Sequence, residues 1–154
     1  MALTGKISTE IPIQAPPSKW FELFAKQLHD VQHHAERVHQ TKLHEGEDWH
    51  HNDTIKHWTY EIDGKVVTCK EKIESYDEEK KTIRYVLFDG DNFTPYYNDF
   101  KLIFSVIEKE DGSAYVNFTI EYEKKDASVA EPPHGYAEYL TKFSRDIDAN
   151  LLKA

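Results

Sequence analysis

Ser113-Ala114-Tyr115-Val116-Asn117-Phe118-Thr119-Ile120-Glu121-Tyr122-Glu123-Lys124-Lys125, and beyond a short polar connection the stretch Pro133 to Leu152, decide the fold between them. In the first, Val116, Phe118, Ile120 and Tyr122 alternate with polar residues, the period-two pattern of a half-buried strand. In the second, Tyr136, Tyr139, Leu140, Phe143, Ile147 and Leu151 fall on one stripe of a helix. Phe118 and Tyr122 on the strand therefore meet Tyr139 and Phe143 on the helix. A sheet and a long helix that meet through large rings leave a hollow as readily as a filled core.

Outward from that pair, the chain reads as a meander of hairpins. Asp111-Gly112 turns back into Asp99 to Glu108, with Phe100, Leu102, Phe104 and Val106 in phase, and Asp89-Gly90-Asp91 ends a strand with Ile83, Tyr85 and Leu87 inward. The polar run Asp77 to Lys81 makes the preceding turn. Asp63-Gly64 between alternating runs is a strong hairpin signal that sets what faces what. Pairing Ile62 with Lys65 puts Trp58 opposite Cys69 and Tyr60 opposite Val67. The same phase points Val67, Cys69, Glu71 and Ile73 inward, Lys70 and Lys72 outward, and brings Glu71 beside Tyr85 or Leu87.

Earlier still, a short strand is expected from Val38 to His44, followed by a polar loop from Glu45 to Asp53. Pro16-Pro17 ends a first strand that alternates from Leu3 to Ile13 and opens a helix carrying Trp20, Phe21 and Phe24. That helix is expected to break near Leu28 and resume through Val31 and Ala35. Asp126 to Glu131 reads as a linker into the final helix.

Composition narrows what such a molecule does. A chain of 154 residues, 39% hydrophobic and 31% charged, suits one domain spanning 1–154. A formal charge of −9 argues against nucleic acid or an anionic membrane as the main partner, since both reward clustered Lys and Arg. Met1 to Lys6 lacks the apolar stretch of a secretory signal, and nothing approaches a membrane span. The single cysteine, Cys69, allows no intramolecular disulfide, so a reduced, cytoplasmic setting is expected. No pattern in the chain speaks to oligomeric state.

Several strings, in order, carry a family resemblance: Leu43-His44-Glu45-Gly46-Glu47, Trp58-Thr59-Tyr60-Glu61-Ile62-Asp63-Gly64, Lys70-Glu71-Lys72-Ile73-Glu74, Phe88-Asp89-Gly90-Asp91, Ile120-Glu121-Tyr122-Glu123-Lys124, and Asp146-Ile147-Asp148 through Leu151-Leu152. Together they resemble the plant major latex protein family over essentially the whole chain. That family is a branch of the superfamily of the major birch pollen allergen and the class-10 pathogenesis-related proteins. The resemblance implies an α+β, START-like helix-grip fold: a curved, seven-stranded antiparallel sheet around a long C-terminal helix, two short helices and a large apolar cavity. It further implies carriage of steroids, fatty acids, flavonoids, hormones or xenobiotics, in some relatives with a role in defence. In a few relatives it implies instead an enzyme of specialised metabolism, a cyclase or isomerase of alkaloid or terpenoid intermediates. Two departures stand out. Relatives carry several glycines after the second strand where this chain has Gly46 and then Glu47-Asp48-Trp49-His50-His51-Asn52, which argues against a phosphate cradle and for an altered cavity mouth. The segment Val31 to Arg37, at the cavity entrance in relatives, also differs.

On that footing, the expected ligand is a small hydrophobic or amphipathic metabolite held by Phe24, Trp58, Tyr60, Cys69, Glu71, Tyr85, Leu87, Phe104, Phe118, Tyr139 and Phe143, with His50 and His51 at the mouth. Tyr60, Tyr85, Tyr122, Tyr136 and Tyr139 add hydroxyls that a dry core must satisfy and a cavity can offer to a ligand. Two readings of Glu71 stand side by side. In one it is structural, bonded to Tyr85 or ion-paired with Lys56 or Lys101; in the other Glu71 and Tyr85 are catalytic, moving a proton on a carbonyl or enol. The histidines, His29 with His33 and His50-His51 near His44, lack the converging geometry of a metal site, so no metal and no cofactor is expected. Cys69 reads as inert packing. A protein-interaction module, the third possibility, calls for an exposed apolar patch that the polar outward phases do not provide.

Overall fold

Seven antiparallel strands form one sheet in the computed structural model, which describes residues 3–26, 28–33, 35, 38–45, 55–62, 64–90, 95–128 and 136–153. In chain order they are β1 (Thr4–Ile13), β2 (Val38–Glu45), β3 (Ile55–Ile62), β4 (Lys65–Asp77), β5 (Thr82–Phe88), β6 (Tyr97–Glu108) and β7 (Ala114–Lys124). Helix α1 (Pro17–Lys26) follows β1, and α2 (Tyr136–Lys153) ends the chain. The spatial order is β1-β7-β6-β5-β4-β3-β2, so the first strand reaches across to pair with the last.

The hairpin register is the one the sequence predicts. Ile62 pairs with Lys65, Trp58 with Cys69 and Tyr60 with Val67. Gly64 takes φ 76°, a left-handed conformation that glycine adopts without strain. Strand β7 alternates strictly between buried and half-buried residues, with Val116, Phe118, Ile120 and Tyr122 in the core. Register shifts between Val38 and Gln40, Leu43 and Glu45, Ile73 and Ser75, and Tyr97 and Asp99 interrupt the ladders. Bulges of this kind bend a strand and increase its twist, which is how the sheet curves around α2.

Some boundaries differ from expectation: β6 opens at Tyr97 rather than Asp99, and β2 ends at Glu45 rather than His44. The resumed helix after Leu28 is a 3₁₀ segment, Leu28–His33, so the described residues hold one short α-helix rather than two. Val31 within it and Ala35 beyond its end are buried but too sparse for an amphipathic α-helical stripe. Helix α2 runs one residue past Leu152, while its expected start at Pro133 lies outside the described residues.

The C-terminal helix is fastened to the β1–α1 connection by one carboxylate. Asp148 accepts hydrogen bonds from Gln14 N (2.9 Å), Ala15 N (2.9 Å) and Trp20 Nε1 (3.1 Å). Trp20, fully buried, lies parallel to Phe24 at 6.1 Å between ring centroids, and Phe24 packs on Phe104 at 4.3 Å. On the outer face, Arg84–Glu121 (2.8 Å) and Lys101–Glu74 (3.4 Å) form the charge pairs expected of solvated strand faces.

Candidate functional site

The inner face of the sheet and the buried stripe of α2 enclose a hollow of about 70 Å³. Of the expected wall residues, Phe24, Trp58, Tyr60, Cys69, Glu71, Tyr85, Leu87, Phe118, Tyr139 and Phe143 all border it. Phe104 does not. It is fully buried one layer behind, against Trp20, Phe24 and Phe118, where three neighbouring rings leave it no path to the hollow. His50 and His51 lie outside the described residues.

Five further residues border the hollow: Phe100, Leu102, Ile120, Tyr136 and Leu140. The strand residues share the inward phase of Phe104 and Phe118, and Tyr136 and Leu140 share the stripe of Tyr139 and Phe143. Periodicity marks them as inward but does not separate a lining residue from one in the layer behind.

The hollow is small beside the large cavity that the family resemblance implies. Pockets for drug-sized ligands measure about 300–1,000 Å³. Here Tyr60, Tyr139 and Phe143 pack against one another at 5.3 and 5.8 Å, and Phe118 meets Phe143 edge-on at 6.0 Å, so the rings occupy most of the space between sheet and helix.

The tyrosine hydroxyls are largely spent on the protein. Tyr60 and Tyr136 share a hydrogen bond of 2.6 Å, which ties β3 to the start of α2. Burial above all, with Cys69 and Tyr136 adding to it, pushes the Tyr60 hydroxyl far above its ordinary pKa, so it stays protonated. Tyr85 donates to the Phe24 carbonyl at 3.3 Å rather than to Glu71. Burial and then the nearby Glu71 raise the Tyr85 pKa well above normal.

Glu71 is the carboxylate on this otherwise apolar wall. It is 6% exposed and pairs across the ladders with Lys56 on β3 and Leu87 on β5. Burial pushes its pKa up to about 7, against the opposing pull of Lys56 and the Trp58 indole. The Trp58 N–H is close enough to favour the ionised carboxylate, yet neither Trp58 Nε1 nor Glu71 Oε1 reaches hydrogen-bond geometry with a protein partner. Of the two cations expected to neutralise Glu71, Lys56 is its neighbour, whereas Lys101 is engaged by Glu74 on the outer face. Chemically, the site offers a greasy aromatic shell with one carboxyl poised near neutrality and a free indole N–H beside it.

No cluster of His, Cys, Asp and Glu suited to a metal occurs among the described residues, and no helix among them is long and apolar enough to cross a membrane.

Comparison with known proteins places this geometry. Residues 2–154 match the model of the pathogenesis-related protein Bet v 1 family. MLP-like protein 43 of Arabidopsis thaliana is 33% identical over 98% of this chain and 95% of its own length. Major latex protein 146 of Papaver somniferum is 29% identical, over 97% of this chain and 92% of its own length. The crystal structure of major latex-like protein 151 from Panax ginseng superposes with a TM-score of 0.90 at 29% identity, over 98% of this chain and 99% of that one.

Proposed function

Because the chain belongs to the pathogenesis-related protein Bet v 1 family, whose members bind hydrophobic ligands, we propose that it binds a small hydrophobic or amphipathic plant metabolite between sheet and helix. The observation that supports this most is the hollow itself, an aromatic shell that keeps a carboxyl and an indole N–H unsatisfied on one wall. At about 70 Å³ the hollow holds a fragment, so a metabolite of ordinary size enters by moving rings of α2 against the sheet. Apolar burial at roughly 25 cal/mol per Å² then supplies affinity with few specific contacts and broad selectivity. The setting is the cytoplasm, in keeping with a single cysteine, Cys69, and the physiological role lies in defence or specialised metabolism.

One observation favours a second reading on the same site. A carboxyl with a pKa of about 7 near a buried phenol is suited to passing a proton to or from a carbonyl or enol, as a cyclase or isomerase requires. Enclosure of a reactive intermediate in one conformer adds to the rate without further machinery.

Native mass spectrometry of the protein from its own tissue, followed by incubation with plant metabolite intermediates, tests both readings. A retained, unchanged small molecule is the expected result. A product whose isomer ratio depends on the protein establishes catalysis, and a protein that retains nothing and changes nothing refutes the proposal.

A further inference from the structure

Apart from Ser144 Oγ on α2, three unsatisfied polar atoms lie together on the sheet wall. Thr41 Oγ1 on β2, Trp58 Nε1 on β3 and Glu71 Oε1 on β4 are buried without a partner of bonding geometry. Thr41 pairs with Trp58, while Trp58 pairs with Cys69 and Lys56 with Glu71, so the three form a polar strip across adjacent strands. Trp58 and Glu71 are diagonal inward neighbours, a spacing that long side chains bridge, and both border the hollow. Buried donors and acceptors left unpaired are costly and few in native proteins. The strip is therefore a place where something other than the protein completes the bonding.

The chemistry of the strip selects the group. Trp58 Nε1–H only donates, and an ionised Glu71 oxygen only accepts. A group that satisfies both must accept from one and donate to the other, and a hydroxyl is the smallest that does so. An ether or a carboxylate supplies acceptors alone. Among the other hydroxyls at the hollow, Tyr60 and Tyr136 bond each other and Tyr85 bonds the Phe24 carbonyl.

Resting on the reading of the hollow as a ligand site, we propose that this strip is a hydroxyl-recognition pole, at which an alcohol or phenol group of the ligand donates to Glu71 Oε1 and accepts from Trp58 Nε1–H. The apolar body then lies along Tyr139 and Phe143. Selectivity within the broad apolar class comes from this pole.

Isothermal titration at pH 8 with 4-propylphenol, 4-propylanisole and 4-propylbenzoate tests it on the wild type, Trp58→Phe and Glu71→Met. The phenol is expected to bind about tenfold or more tightly than the anisole, since the lost bond is to a charged group. That ratio is expected to approach one in Glu71→Met and to persist in Trp58→Phe, where phenol and anisole both weaken severalfold because each accepts from the indole N–H. Equal wild-type affinity for phenol and anisole, or benzoate binding as tight as phenol, overturns the pole while leaving a ligand-binding hollow intact. Failure of all three to bind overturns the hollow as a site, and the pole with it. If Glu71→Met does not fold, Trp58→Phe decides, because unchanged affinity for both phenol and anisole in that variant overturns the proposal.

Discussion

Trp20 and Trp58 mark two ends of one interior built on opposite terms. Trp20 is fully buried, its Nε1 bonded to Asp148 and its ring set among Phe24 and Phe104. Trp58 is 8% exposed and leaves its Nε1 unbonded beside a carboxyl that burial has pushed up to about 7. The first end is satisfied and densely packed, which is what stability asks of a core. The second carries polar atoms that stability alone would have removed, which the proposed ligand site would explain. One fold thus divides its aromatic residues between holding the helix to the sheet and bordering the hollow.

The packed end is the costlier one to damage. Phe104→Ala is expected to lower unfolding free energy by about 3–5 kcal/mol in chemical denaturation, because no space beside the hollow relieves the cavity it leaves. Survival of full stability in that variant would show the packed end to be looser than its ring distances state.

The site end has a pH signature of comparable size. Glu71 binds its proton more tightly in the folded chain (pKa about 7) than at the ordinary value of 4.5. The native state therefore holds the extra proton between those values, and stability falls as pH rises through that window. The loss is about 3 kcal/mol, absent below the lower value and complete above the upper one. Denaturation midpoints across pH 4 to 8 should show this component in the wild type and lack it in Glu71→Gln. Identical profiles for the two proteins would contradict the assignment.

Asp148→Ala removes the acceptor shared by Gln14 N, Ala15 N and Trp20 Nε1, and is expected to cost about 2 kcal/mol, with Asp148→Asn recovering part of it. The sharpest form of the comparison is the smallest in energy. Trp20→Phe and Trp58→Phe delete the same atoms, yet the first breaks a bond to a carboxylate and should cost about 2 kcal/mol. The second relieves an unpaired donor and should stay within about 1 kcal/mol. Equal costs would erase the distinction between the two ends.

Much of this division is legible in the sequence, and where it is not the cause is physical. Asp63-Gly64 sets the β3–β4 register, and that register alone places Trp58, Tyr60, Cys69 and Glu71 on one face. What period-two patterns cannot supply is depth. Phe104 and Phe118 read alike in sequence, but only Phe118 borders the hollow. Nor do they supply the partners of polar groups. Tyr60, Tyr85 and Tyr136 read as hydroxyls offered to a ligand, and in three dimensions they bond each other or a backbone carbonyl. Thr41 was hidden for a different reason: the register shifts that bracket its part of β2 break the simple alternation from which its facing would be read.

The claim beneath the whole account is that the space beside Cys69 receives a ligand. Cys69 is buried, borders the hollow and is small, so Cys69→Phe projects a ring into that space without touching the Trp20 end. Calorimetric titration of 4-propylphenol into folded wild type and folded Cys69→Phe measures this directly. Saturable one-to-one binding to the wild type, weakened at least tenfold in the variant, is the predicted result. Equal binding to both proteins would place the ligand elsewhere and contradict the account.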